Sequence, residues 1–280
     1  MPPLNLVVPP AERRRRIPPL RSGVYILPNL FTTGGLVAGF YSIICTHNAA
    51  LSASNKTWFT WAAGMILVAQ LCDMLDGRVA RLTRSTSSFG VQYDSLADLI
   101  AFGVAPGFLV YTWALTPWGR WGWLAATLYV VCAALRLARF NVQVATVEKR
   151  HFLGLPSPAA ADVIASTVLL FYYLRGQGTP AKHVTMLVVI FAVAGLMVSE
   201  IRYFSFKEFH IHRRHPFPVL LALIVIVLLT IGAPEPMLFL GTSGFALSGP
   251  VGALWRLVTI RRRRAAGGPP GAATATDVRA

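Results

Sequence analysis

Eight apolar runs divide the chain, and polar or charged stretches separate them. Each run has the length that a membrane-spanning helix needs, about 17–25 residues. The runs lie at roughly 24–46, 57–80, 91–114, 121–141, 157–174, 183–199, 216–233 and 236–258. Because lipid offers no hydrogen bonds to an open backbone, we expect helices. The pattern predicts an all-α integral membrane protein with about eight transmembrane helices, the last two joined by a tight turn in the sequence APEP (233–236).

Composition and charge support the membrane interpretation and argue against a soluble nucleic-acid-binding protein. Of the 280 residues, 55% are hydrophobic and 13% are charged, and the formal net charge is +15. The basic residues flank the apolar runs, so we expect no nucleic-acid partner. With the N-terminus placed in the cytoplasm, 22 of the 26 lysines and arginines fall on the inner side. This bias predicts an even number of spans and a multi-pass protein of the plasma (inner) membrane with both termini cytoplasmic.

Four aspartates stand where the second and third apolar runs meet the polar stretch 82–89 between them. At 100° per residue, the polar face of the second run covers about 140° of helix surface, and that of the third covers about 80°. The second run contributes Asp73, Asp76, Gly77, Ala80 and Arg81, and the third contributes Gly90, Asp94 and Asp98. Two antiparallel helices with these faces can point all four carboxylates at one another.

Converging carboxylates need a positive partner, because one charged residue at the centre of a span costs about 2.5–3.5 kcal/mol. Oxygen ligands suit Mg²⁺ or Mn²⁺. Two such ions about 3.5–4 Å apart can hold the attacking and leaving oxygens of a phosphoryl transfer. Gly77, Ala80 and Gly90 leave room for a ligand, and the Arg81 guanidinium can bind phosphate. The alternatives are an intramembrane salt-bridge network or a cation-coupled transporter.

The spacing Asp73-x2-Asp76-Gly77-x2-Ala80-Arg81-x8-Gly90-x3-Asp94-x3-Asp98 resembles the signature of the CDP-alcohol phosphotransferase family at every fixed position. The stretches LPNLFTTGGLVAGFYSI, LADLIAFGVAPG, ALRLARFNV, FLGLPSPAAA and LMVSEIRYFSFK are similar to its bacterial, phosphatidylserine-forming branch. The resemblance implies a membrane enzyme that transfers the phosphatidyl group from CDP-diacylglycerol to L-serine and releases CMP. The same chemistry with another acceptor, glycerol 3-phosphate or inositol, is the nearer alternative.

The resemblance also implies roles for the residues of the motif. Divalent ions would be bound by Asp73, Asp76 and Asp94, with Asp98 as a further ligand and as the base that deprotonates the acceptor hydroxyl. The CDP-diacylglycerol contacts would be Asn29, Gly77, Ala80, Arg81 and Gly90. For Asn29 the competing interpretation is a helix start, since it follows a proline.

Two arginines near the inner end of the fourth run, Arg136 and Arg139, are candidates for binding the acceptor. An arginine in an apolar helix is costly unless it is paired or solvated, and a guanidinium fork suits the carboxylate of serine. The alternative is a charge that sets topology or pairs with a carboxylate. At Ser157, where the fifth span begins, we expect a structural turn, and a contact with substrate is the alternative.

These features divide the chain into four parts. Residues 23–215 form the catalytic core of six helices, and residues 216–260 form two extra helices that serve packing or assembly. The ends, 1–22 and 261–280, are expected to be disordered basic tails. His210, His212 and His215 have no fourth metal ligand nearby, so we expect a solvated loop. The stripes Gly35-x3-Gly39 and Gly103-x3-Gly107 predict close helix packing, which could include a homodimer contact.

Overall fold

The computed structural model describes residues 26–52, 55–83, 87–146, 154–175, 184–201, 203 and 216–265. The predicted tail 1–22 and the three loop histidines lie outside these residues. The described part is helical and contains no strand. Its α-helices are α1 (Ile26–Leu51), α2 (Asn55–Thr83), α3 (Ser88–Asp98), α4 (Ala105–Val110), α5 (Arg120–Thr146), α6 (Ser157–Arg175), α7 (Val184–Val198), α8 (Pro216–Gly232) and α9 (Pro234–Ala265).

The third span is a single helical stretch that contains two π-helical segments. α3 passes into a π-helical segment, Leu99–Val104, which leads into α4. A second π-helical segment, Tyr111–Leu115, and a short 3₁₀ turn at Thr116–Trp118 complete it. The whole stretch is long and apolar enough to cross a membrane.

The predicted all-α membrane architecture is confirmed. Six helical stretches of the described chain have the length and composition of membrane spans, and two shorter apolar helices, Val184–Val198 and Leu223–Gly232, account for the sixth and seventh predicted runs. Apolar side chains cover the outside as well as the inside, and α8 exposes leucine, isoleucine and valine along most of its length. This distribution is typical of helices whose outer surface faces lipid.

The last two helices differ from their predicted bounds. Only Ala233 separates α8 from α9, because α9 begins at Pro234 and uses Pro-Glu-Pro as its first turn. Proline is tolerated there, since the first helical N–H groups have no partner within the helix. At its other end α9 continues to Ala265, so residues 261–265 are helical and do not belong to the predicted tail.

Contacts between helices build a bundle in which α1 lies along α2 and also touches α3 and the π-helical segment after it. α2 and α9 pack on α6, and α5 packs on α7. Both glycine stripes serve contacts within this bundle. A Cβ on Gly39 would lie 2.7 Å from the Cα of Ala101, and one on Gly107 would lie 2.8 Å from Val130. These surfaces are therefore occupied by neighbouring helices of the same chain.

Candidate active site

Three of the four aspartates converge where α2 and α3 lie side by side. Each of Asp73, Asp76 and Asp94 offers one carboxylate oxygen, and these oxygens all lie within 4.8 Å of one another. Asp73 and Asp76 are on α2, one turn apart, and Asp94 comes from the second turn of α3. The α3 N-terminus is capped by Ser87, whose Oγ accepts the Gly90 N–H at 2.9 Å. The predicted meeting of two acidic helix faces is thus present.

Asp98 lines the same cavity but does not belong to this close group. The cavity is lined by the four aspartates and by small or apolar residues: Thr32, Gly35, Ala69, Ala97, Ala101 and Phe102. Asp98 lies one helical turn deeper along α3 than Asp94. The arrangement separates a three-carboxylate cluster from a fourth carboxylate that faces the same space.

Helix α1 forms hydrogen bonds with both α2 and α3, the two helices that carry the acidic site. The Thr32 hydroxyl donates to Asp76 Oδ2 at 2.9 Å. Thr33 forms a 2.9 Å hydrogen bond with the hydroxyl of Tyr93 on α3. The sequence reasoning did not assign Thr32. A signal was available, since Thr32 is three residues after Asn29 and shares its helix face.

The other residues of the motif lie on α2 and α3 near the polar stretch that joins these helices. A Cβ on Gly90 would lie 3.4 Å from Asn29 Oδ1, so the amide of α1 reaches the start of α3. Arg81 is exposed, and its Nη1 lies 4.0 Å from the place of a Cβ on Gly77. Ala80 is half-buried on the same helix. These residues lie toward the end of the site where α2 stops and α3 begins.

The two candidate arginines have different surroundings. Arg136 Nη1 donates to Ser157 Oγ at 2.8 Å, its buried Nε has no hydrogen-bond partner among the residues that the structure describes, and its charge interacts with Asp98. Arg139 instead forms a 3.5 Å ion pair with Glu200, whose side chain is 83% exposed. The carboxylate-partner interpretation therefore applies to Arg139, whereas Arg136 points into the bundle beside the acidic site.

The acidic residues fit a divalent cation. In the part of the chain that the structure describes, the one ion pair joins Arg139 to Glu200, so none of the four carboxylates has a cationic side chain within 4.0 Å. Carboxylate oxygens a few ångströms apart are suitable ligands for Mg²⁺ or Mn²⁺. The Thr32 hydrogen bond resembles the outer partners that orient metal-binding carboxylates. The donor set and its spacing can therefore hold a divalent ion.

The family model described as CDP-alcohol phosphatidyltransferase matches residues 25–197. A CDP-diacylglycerol–serine O-phosphatidyltransferase of Helicobacter pylori is 40% identical over 188 residues, which are 66% of this chain and 74% of the relative. An archaetidylserine synthase of Methanothermobacter thermautotrophicus is 36% identical over 179 residues, which are 63% of this chain and 69% of the relative.

A third relative, from Mycobacterium leprae, is also a CDP-diacylglycerol–serine O-phosphatidyltransferase. It is 41% identical over 162 residues, covering 55% of this chain and 50% of its own. The family match contains the four aspartates, both candidate arginines and all of the helices that line the cavity. This chain belongs to the CDP-alcohol phosphatidyltransferase family.

Proposed function

We propose that the protein transfers the phosphatidyl group from CDP-diacylglycerol to L-serine and so produces phosphatidylserine and CMP. Family membership supports the class of reaction, and the relatives named for serine support the acceptor. The observation that carries the proposal is the convergence of three carboxylates beside a fourth, in one cavity of a membrane-spanning bundle. Such a site suits a phosphoryl transfer in which positioning and charge neutralisation supply most of the acceleration.

The donor site in this proposal consists of the end of α2 and the start of α3. Arg81 is exposed beside Gly77 and is free to reach a phosphate of the CDP group. Asn29 lies against Gly90, where an amide can hydrogen-bond to the nucleotide. The side chains on this surface are absent or small at Gly77, Ala80 and Gly90, so the nucleotide can come close to the helix backbones. The acyl chains would remain in the surrounding lipid.

Divalent ions, Mg²⁺ or Mn²⁺ and two in number, would be held by Asp73, Asp76 and Asp94, with Asp98 as a further ligand. When bound, they would neutralise the charge on the pyrophosphate and on the departing CMP. Thr32 keeps one oxygen of Asp76 in a fixed orientation. Asp98 stands apart from the three-carboxylate cluster, which leaves it suited to a second task.

The second task that we assign to Asp98 is the removal of a proton. Asp98 would accept the proton of the serine hydroxyl as the serine oxygen attacks the phosphorus on the lipid side. The new P–O bond forms as the bond to the CMP oxygen breaks, and CMP leaves with the electron pair. A positioned base of this kind contributes about 10²–10⁴-fold to a rate.

Arg136 is the stronger candidate for the serine carboxylate. Its Nη1 is held by Ser157, its charge interacts with that of Asp98, and its buried Nε has no hydrogen-bond partner among the described residues. A guanidinium whose donors are partly unused can bind a carboxylate with directional hydrogen bonds. Arg139 already faces Glu200 near the surface, so we assign it a supporting electrostatic role. Arg136 would thus place the amino acid with its hydroxyl toward Asp98.

The direct test uses purified protein in detergent or lipid vesicles with CDP-diacylglycerol, Mn²⁺ and labelled serine. We expect release of CMP together with labelled phosphatidylserine. Glycerol 3-phosphate and inositol, offered separately, decide the alternative acceptors. CMP release with either of these and not with serine would refute the serine assignment and leave the reaction class intact.

A cation-coupled transporter remains the distant alternative from the sequence, and the relatives described above give it no support. It predicts cation-dependent uptake into vesicles and no CMP from CDP-diacylglycerol. The protein is a multi-pass membrane protein, and we propose the plasma membrane with the acidic site at the cytoplasmic side, in line with the positive-inside bias. A homodimer stays a prediction, although both glycine stripes are used within one chain.

A further inference from the structure

The position of Arg136 depends on Ser157, the first residue of α6. Ser157 is 1% exposed, and its Oγ accepts the hydrogen bond from Arg136 Nη1 at 2.8 Å. This bond fixes one side of the guanidinium, and the buried Nε has no hydrogen-bond partner in the described part of the chain. The rotamer of Arg136 is therefore set from α6.

Ser157 is in turn placed by a tight backbone turn at Gly154 and Leu155. Gly154 has a φ of 80°, and its N–H donates to the carbonyl of Ile201 at 2.9 Å. Leu155 N–H donates to the carbonyl of Leu196 at 2.9 Å. A Cβ on Gly154 would overlap the carbonyl oxygen of Met197, so the turn is pressed against the end of α7. A residue with a side chain could adopt neither this φ nor this approach without strain.

The segment after α7 is fastened to the last helix. Tyr203 is buried, and its hydroxyl donates to the carbonyl of Ala246 on α9 at 3.1 Å. Its ring covers Gly249 so closely that a Cβ there would overlap the ring, and it also packs against Phe245 with ring centroids 5.6 Å apart. Tyr203 is two residues from Ile201, which holds Gly154. A continuous set of contacts thus leads from α9 to Arg136.

We propose that α9 is a functional support of the acceptor site and that Ser157 and Tyr203 are positioning residues for it. α9 lies beyond the family match at 25–197, so this support is an addition to the shared core. The inference rests on the proposed function in one respect, which is that Arg136 binds the acceptor carboxylate. It assigns the extra helix a role in the reaction, where the sequence alone indicated only packing or assembly.

The test measures KM for serine and KM for CDP-diacylglycerol separately. Ser157→Ala should raise the serine KM about tenfold, the order expected from one lost hydrogen bond to a charged group. The KM for CDP-diacylglycerol should stay within about twofold, since the donor site is on α2 and α3. Ser157→Thr, which keeps the hydroxyl, should restore much of the serine affinity.

The contribution of α9 is tested by Gly249→Val, which would displace the Tyr203 ring. We expect the serine KM to rise about three- to tenfold, and no further rise when Gly249→Val is added to Ser157→Ala, because both act on one element. Gly252→Val is the matched control, since it is the same substitution on the same helix and a Cβ there meets nothing within 4 Å. If Gly249→Val fails to fold, Tyr203→Phe must show a smaller change of the same kind.

Several results would overturn the inference. One is an unchanged serine KM in Ser157→Ala, or in both Gly249→Val and Tyr203→Phe. Another is an equal rise of the KM for serine and the KM for CDP-diacylglycerol. A third is full additivity of the two effects when Ser157→Ala and Gly249→Val are combined. An equal effect of Gly252→Val would also refute it. Failure of the wild-type protein to use serine would instead contradict the proposed function, so the two failures are distinguishable.

Discussion

Replacement of Thr32 by valine tests whether α1 orients the acidic site. Valine has nearly the shape of threonine, and Thr32 is buried, so the change removes a hydroxyl without opening a large cavity. The lost contact is the 2.9 Å hydrogen bond to Asp76 Oδ2. Asp76 would lose the hydrogen bond that orients its Oδ2.

The magnitude follows from the two acceptors of the Thr32 hydroxyl. A hydrogen bond to a charged group contributes about 1.5–3 kcal/mol, or roughly 10- to 150-fold in affinity. The hydroxyl also faces the carbonyl of Pro28 at 3.2 Å, and one hydrogen cannot serve both acceptors fully. We therefore expect the lower part of that range, about ten- to thirtyfold weaker metal activation, which agrees with the usual effect of outer partners of metal ligands.

The assay is CMP release from CDP-diacylglycerol as a function of Mn²⁺ concentration. Thr32→Val should need about ten- to thirtyfold more Mn²⁺ for half-maximal rate and approach the wild-type rate at saturation. Thr46→Val is the control, because Thr46 is buried on the same helix about 21 Å away along its axis and, among the described residues, donates only to the carbonyl of Ser42. A normal Mn²⁺ requirement in Thr32→Val, or an equal shift in Thr46→Val, would refute the reasoning.

Three further predictions concern other parts of the molecule. Asp98→Asn should retain Mn²⁺ binding and lose about 10²–10⁴-fold in turnover, and full activity would rule out its role as base. Gly39→Ala should lower the free energy of unfolding in detergent by about 1–3 kcal/mol, because the new Cβ would meet the backbone of Ala101. The control Gly64→Ala, which has open space, should be neutral or stabilising by about 0.5–1 kcal/mol. Arg136→Gln should raise the serine KM far more than Arg139→Gln, and the reverse order would contradict our choice between them.

The membrane architecture could be predicted from the sequence because lipid imposes a strong and local rule. A run of about 20 apolar residues must form a helix whatever its neighbours are. All eight predicted runs are helical in the structure. The predicted runs and the observed helices differ in the residues at which they begin and end. The largest differences are at α9, where proline residues begin the helix and residues 261–265 extend it. Capping and end effects depend on single residues, so hydropathy does not fix them.

Contacts between distant parts of the chain could not be predicted in the same way. Thr32 and Asp76 are 44 residues apart, and Arg136 and Ser157 are 21 apart. Each pair forms only because helices meet at a particular rotation, and a single sequence carries no direct signal for that rotation. The same is true of Tyr203, because its partner helix α9 carries no sequence motif that indicates a function.

The acidic site was predictable because its four aspartates lie within regular α-helix. Asp73 and Asp76 are inside α2, and α3 extends to Asp98, so a rotation of 100° per residue holds across the whole motif. The π-helical segment begins at Leu99, the next residue. From there each turn contains more residues, and an extrapolated helical phase would assign the wrong face to the alanines and glycines that follow. A change of pitch directly after Asp98 lets α3 present its carboxylates on one side while the continuing helix packs its small residues against α1. The regular part of the span therefore carries the proposed chemistry, and the irregular part adjusts the packing around it.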